Sequence, residues 1–212
     1  MSIIKAAAPK FAGLDLDLIE KAVVSAFLAL LAARLVPAAL ASGSALPVLL
    51  LVSEAMVVLF ILVRRRTQDI SRRGSDWAVG FAGTLLPLSA AAPGGSALAP
   101  ATLCAALMIA GFCLQLAAKL TLRRSFGVVA ANRGVKAQGP YRIVRHPMYA
   151  GYALTHIGFL LSGPTAWNVV IYSATLALAV TRILAEERVL GEDPAYRTLQ
   201  ERVRYRLLPF IF

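Results

Sequence analysis

The chain has 212 residues, of which 58% are hydrophobic and only 16% charged, with a mean hydropathy of +0.71. A soluble domain of this length has too little interior to hide so much apolar surface, which excludes the water-soluble globular classes and makes the bilayer the missing solvent. A formal net charge of +11 would suggest nucleic acid in a soluble protein, but here the basic residues cluster beside apolar runs, as cytoplasmic flanks of spanning helices do, so no nucleic-acid partner is expected.

Acidic Asp15, Asp17 and Glu20 stand where a signal peptide carries its basic region, so the first helix is expected to stay as an anchor. Residues 22 to 41 form a first apolar span, and a turn containing Pro37, Ser42, Gly43, Ser44 and Pro47 leads into a second from Leu46 to Val63. Arg34 and Glu54 fall at similar depth in these antiparallel helices and are expected to pair, because an unpaired charge in hydrocarbon is costly. The loop from 64 to 73, with Arg64, Arg65, Arg66, Arg72 and Arg73, then faces the cytoplasm. No residue between Asp76 and Lys119 is charged, and Pro93, Gly94, Gly95 and Pro100 divide that stretch into a second helical hairpin. Cys104 and Cys113 lie nine positions apart on one helix, roughly 13 Å along its axis, too far for a disulfide, and read as core thiols.

From Arg145 to Arg182 the chain is again free of charge, and Ser162, Gly163 and Pro164 cut it into a shorter helix, 147 to 162, and a longer one reaching 184. Trp77 and Trp167 sit at helix ends, where an amphipathic indole suits the membrane interface. The tail keeps helical spacing through Glu186, Glu187 and Leu190, breaks at Gly191 to Pro194, and resumes as a basic helix expected to end at Leu208 and Pro209. Phe210, Ile211 and Phe212 are apolar enough to re-enter the interface. The expected fold is thus an all-α integral membrane protein with five to six transmembrane helices of about 20 residues each, arranged in hairpins. Residues 1 to 118 form the N-terminal hairpins, and 119 to 212 hold the hairpin 147 to 184 and the polar tail. The loop from Lys119 to Arg145 and the tail must meet on one membrane face. A multi-pass placement in the inner membrane with the site facing the cytoplasm follows from the charge asymmetry.

The densest polar stretch is Gly139-Pro140-Tyr141-Arg142-Ile143-Val144-Arg145-His146-Pro147-Met148-Tyr149-Ala150-Gly151, where the loop enters a helix. Pro147 suits a first helical turn, and the N–H groups there, with Arg145 and His146, favour an anionic group. A cytoplasmic flank asks only for charge, not for interleaved Tyr, His, Gly and Pro. The second stretch, Arg182 to Leu190, puts Arg182 and Glu186 four apart on one face with Glu187 beside them. On its own that pattern suits a salt-bridged helix end or a cationic ligand. Two histidines ten residues apart and two core cysteines give no metal-ligand spacing, so no metal is expected. A transporter would need polar residues along the helix interiors, and the uncharged stretches supply almost none. His156, one turn from Tyr152 on an apolar helix, reads as a hydrogen-bonded core histidine without a role.

Together the two stretches resemble the isoprenylcysteine carboxyl methyltransferase family, which sits close to the phospholipid N-methyltransferases. The pattern Gly-Pro-Tyr-Arg, two variable residues, Arg-His-Pro, one variable, Tyr, one variable, Gly is matched from Gly139 to Gly151, and Arg-Ile, two variable, Glu-Glu, two variable, Leu from Arg182 to Leu190. Leu122 to Phe126 is similar to an upstream element, while Glu192-Asp193 departs from the usual Phe-Gly. The resemblance implies methyl transfer from S-adenosylmethionine to a lipophilic acceptor, either an isoprenylcysteine-like carboxylate or a phosphatidylethanolamine-type amine, with a non-catalytic relative as the remaining alternative. In that reading Arg145 and the helix start at His146 and Pro147 meet the cofactor carboxylate. Glu186 and Glu187 meet its ammonium and ribose, Tyr141, Tyr149 or His146 its adenine, and Gly151 completes the binding motif. Arg145, as positioner of an anionic acceptor, and Glu187, as base for an amine or phenol, are the expected catalytic residues, with Glu186 and His146 as the other candidate bases.

Overall fold

The computed structural model describes residues 15–42, 59–64, 67, 69–209 and 211–212. The side chain of Arg34, all of Glu54, most of the second span and Phe210 lie outside the described residues, and with them the expected Arg34–Glu54 pair.

Helix α1, Leu16–Ser42, starts earlier than its apolar run. The Asp15 carboxylate accepts the amides of Asp17 at 3.1 Å and Leu18 at 3.3 Å, satisfying first-turn donors that have no partner within the helix. Asp17 and Glu20 are therefore helical residues. Helix α2, Gly74–Leu85, is shorter than a spanning segment: its 12 residues rise roughly 18 Å before the chain tightens into a 3-10 turn over Leu86–Ser89. Pro87 has no N–H to continue the α-helical ladder, which accounts for the early stop. Helix α3 is Ala101–Leu122 and α4 is Pro147–Ser162, the latter with the expected bounds and Pro147 in its first turn. Helix α5, Ala166–Leu190, begins at Thr165, whose hydroxyl accepts the Asn168 amide at 3.1 Å. Among the described residues, the segments 101–125 and 166–190 are long and apolar enough to cross a membrane.

Two expectations about the tail need correction. Glu186 and Glu187 ride on α5 itself, which continues past 184 to Leu190. The basic helix, α6 at Pro194–Arg202, ends six residues before Leu208. Val203 leaves in an extended conformation, and the carbonyls of 203 to 206 bond to Arg145 and His146 rather than to a further helical turn. Phe212 then folds back against Tyr149, Ala150, Ile183 and Leu207, while Ile211 stays 80% exposed.

The helices pack as two pairs. α3 lies against α4 with backbones in close approach: a Cβ on Gly151 would meet Gly111 O at 2.7 Å, and one on Gly111 would meet Gly151 O at 2.6 Å. Gln115 Nε2 donates to Thr155 Oγ1 at 3.0 Å across the same seam. α2 lies against α5. Buried Asn168 fixes that second pair by bonding the Ala91 amide at 2.9 Å and carbonyl at 3.0 Å, and Trp167 Nε1 donates to Ser89 O at 2.8 Å. Of the two thiols only Cys104 is buried; Cys113 is exposed on the outer side of α3.

Candidate active site

Loop and tail meet as the charge pattern required. The amides of Arg145 and His146 donate to Tyr205 O at 2.9 Å and Arg206 O at 2.8 Å, so the tail is stitched to the entrance of α4. The amides expected to face an anion at this helix start are thereby partly committed within the protein. Arg145 is buried and donates Nε to Glu187 Oε1 at 2.7 Å and Nη1 to Val203 O at 2.8 Å and Arg204 O at 2.9 Å. Glu187 also accepts Arg206 Nε at 2.7 Å and the Tyr196 hydroxyl at 3.3 Å. A second tie links Asn132 Nδ2 to Asp193 Oδ2 at 2.8 Å, placing the Asp193 departure at the loop–tail seam.

Behind this seam lies a cavity of about 140 Å³ that sets Arg133, Arg145, His146, Arg182 and Glu186 beside aromatic and apolar groups, the more polar of two neighbouring cavities. Of the residues expected at the site, its wall takes Tyr141, Arg145, His146, Tyr149 and Glu186. Pro147, Gly151 and Glu187 stand behind that wall: Pro147 as a buried first-turn residue, Gly151 in the α3–α4 seam, and Glu187 in its ring of donors. Glu186 accepts the Tyr149 hydroxyl. The imidazole of His146 sits between the carboxylates, Nδ1 at 3.6 Å from Glu186 Oε2 and Nε2 at 3.4 Å from Glu187 Oε1. Nε2 is fully buried and poorly aligned for a hydrogen bond, which leaves it without one. Burial alone would lower the His146 pKa, but Glu186 and then Glu187 outweigh it and raise the pKa above the ordinary histidine value. The Tyr141 and Tyr196 phenols are pushed up by burial and by the charges of Glu186 and Glu187 respectively, so both remain neutral at physiological pH.

A second cavity of about 270 Å³ opens between the two helix pairs and is mostly apolar, lined by Phe27, Pro87, Leu160 and Leu176 among others. Thr84, Tyr149, Tyr152 and Arg182 line both cavities. Arg182 does not close the i,i+4 pair with Glu186 that its spacing allows. Its Nη2 donates to Val128 O at 3.0 Å, its guanidinium carbon lies 5.2 Å from the centre of the Tyr149 ring, and Nε is buried without a partner. His156 lines the apolar cavity and stacks on Tyr172 at 4.3 Å, where a hydrogen-bonded core residue was expected.

The sequence reading also missed a buried ion cluster. Asp17 and Glu20 face Arg64 and Arg133, with Arg64 Nη2 at 2.7 Å from Asp17 Oδ1 and 2.9 Å from Glu20 Oε2, and Arg133 Nη2 at 3.0 Å from Glu20 Oε2. The available signal was the spacing of the acids, three apart and therefore on one helix face. Arg64 and Arg133 look like ordinary cytoplasmic charges until the fold buries them.

Residues 103–192, from α3 to the end of α5, match the family described as isoprenylcysteine carboxyl methyltransferase (ICMT). Over that stretch, less than half of its length, the chain is similar to the ICMT family. The family's printed description is that of a methyltransferase, and the similarity points to that class. The ICMT match holds Tyr141, Arg145, His146, Tyr149, Arg182, Glu186 and Glu187, and leaves α1, Tyr196 and the 203 to 206 segment outside it. A search of curated proteins finds no match for the chain.

Proposed function

We propose that the chain is an integral membrane methyltransferase that takes its methyl group from S-adenosylmethionine and transfers it to a lipophilic acceptor. The observation that carries this reading is the shared wall: a polar cavity with aromatic and ionic walls abuts an apolar one, and four residues belong to both. The residues fit such a cofactor. A carboxylate on the cavity wall, Glu186, suits its ammonium or ribose; Tyr141 and Tyr149 offer faces for adenine and sulfonium; and the orphaned, buried His146 Nε2 marks a polar group with bonding capacity to spare. The cofactor supplies an activated methyl, so the protein's work is alignment and the exclusion of water.

Arg145, on the wall, and Glu187, behind it, are tied to each other and to the tail, and we assign them to holding the site together. The contact to the acceptor falls to Arg182, the cation on the shared wall. A guanidinium there suits an acceptor that arrives as a carboxylate, ionised already and needing no base, which favours carboxyl O-methylation over amine methylation. Isothermal titration of purified protein with S-adenosylhomocysteine tests the cofactor assignment. Saturable heat at micromolar ligand is expected, and no heat at millimolar ligand with folded protein overturns it. Arg182→Lys keeps the charge but loses the planar fork; turnover of a farnesylated cysteine probe is expected to fall by roughly 10- to 100-fold in kcat/KM, with S-adenosylhomocysteine affinity nearly unchanged.

A further inference from the structure

The peptide joining Val128 to Val129 lies between opposite charges. Its N–H donates to Glu20 Oε1 at 3.0 Å, and its carbonyl accepts Arg182 Nη2 at 3.0 Å. Glu20 Oε1 also takes the preceding amide, Val128 N, at 2.6 Å, while Oε2 is held by Arg64 and Arg133. Glu20 is 0% exposed, so its charge acts in a medium where such bonds are strong and an unmatched one is costly. On the third side α2 approaches so closely at Gly80 that a Cβ there would meet Val128 O at 3.0 Å. Phe126, Gly127, Val128 and Val129 form one wall of the polar cavity. One peptide unit thus connects a carboxylate of α1, outside the ICMT match, to the arginine on the wall between the two cavities.

We propose that Glu20 is a positioning residue for the methyl-transfer site: it fixes the 126–129 wall and, through the 128–129 peptide, the place of Arg182. The functional half of this inference rests on the methyltransferase reading. Asp17 supplies the control, because it shares Arg64 and Arg133 with Glu20 and bonds neither Val128 N nor Val129 N. A purely structural cluster would make the two acids equivalent.

Three variants of the full chain decide it, each read by amide hydrogen exchange over 126–131 without ligand and by titration with S-adenosylhomocysteine. Glu20→Ala and Gly80→Ala are expected to speed exchange of the segment and weaken binding about ten-fold or more. Asp17→Asn is expected to lower the melting temperature while leaving both readings close to wild type. Equal weakening by Asp17→Asn and Glu20→Ala, or wild-type exchange in Gly80→Ala, overturns the inference. Gly80→Ala moves the same peptide without stripping the cluster of charge, so it decides alone if Glu20→Ala gives no folded protein. If wild type itself gives no heat, the methyltransferase reading fails, and exchange in the ligand-free protein still decides the clamp.

Discussion

Glu186 and Glu187 are neighbours in the chain, yet one faces the polar cavity and the other faces Arg145, Arg206 and Tyr196. Removing the charge of Glu187 strands a buried guanidinium, at a cost of about 3–5 kcal/mol. Glu187→Gln should therefore lose folded yield and melt far below wild type in detergent, whereas Glu186→Gln should melt near wild type and lose S-adenosylhomocysteine binding; equal melting of the two sinks this division of labour. His146 gives a pH signature. Its folded pKa is raised above the unfolded value of about 6.5, so the proton it holds stabilises the fold fully below that value. The contribution is lost as pH rises through the folded pKa. The melting temperature of wild type minus that of His146→Gln should accordingly shrink from pH 6 to pH 9, and a flat difference would contradict it. At this scale the motif residues were legible because their types are unusual beside a membrane flank. Their division into wall and backing was not, since adjacent positions on a helix point about 100° apart and only packing decides which direction is the cavity.

The helices α4 and α5 start where Pro147 and Thr165 announce them, and Gly163-Pro164 separates them as turn chemistry demands. The ends were harder to read. α2 stops at Leu85 because Pro87 breaks its ladder, and α6 stops at Arg202 because Arg145, far away in sequence, takes the carbonyls that another turn would use. Long-range capture of this kind leaves no local mark. Gly151 belongs at this scale too, since its substitution acts on a helix pair. Gly151→Ala forces a methyl group against Gly111 O and Gln115 and should cost about 1–3 kcal/mol, while Gly74→Ala, with open space around it, should melt like wild type. Chemical unfolding of both variants checks this.

Across the whole molecule, a cavity lined by charged and aromatic side chains abuts a mostly apolar one, and four residues are shared between them. If Arg182 receives a carboxylate, the product is a methyl ester. Cells expressing the chain should then contain an amphiphile one methyl heavier than in cells lacking it, and mild alkali should release the label as methanol. Label that survives alkali would point to an amine instead. The α3–α4 seam adds a mechanical asymmetry. With Gly111 and Gly151 in backbone contact and Gln115 bonded to Thr155, that side of the apolar cavity is a fixed jamb that cannot swing without breaking a close-packed joint. Among the described residues the opposite side is built differently: α2 is short and ends in a 3-10 turn, so the two flanks of the apolar cavity differ in how closely their backbones are joined.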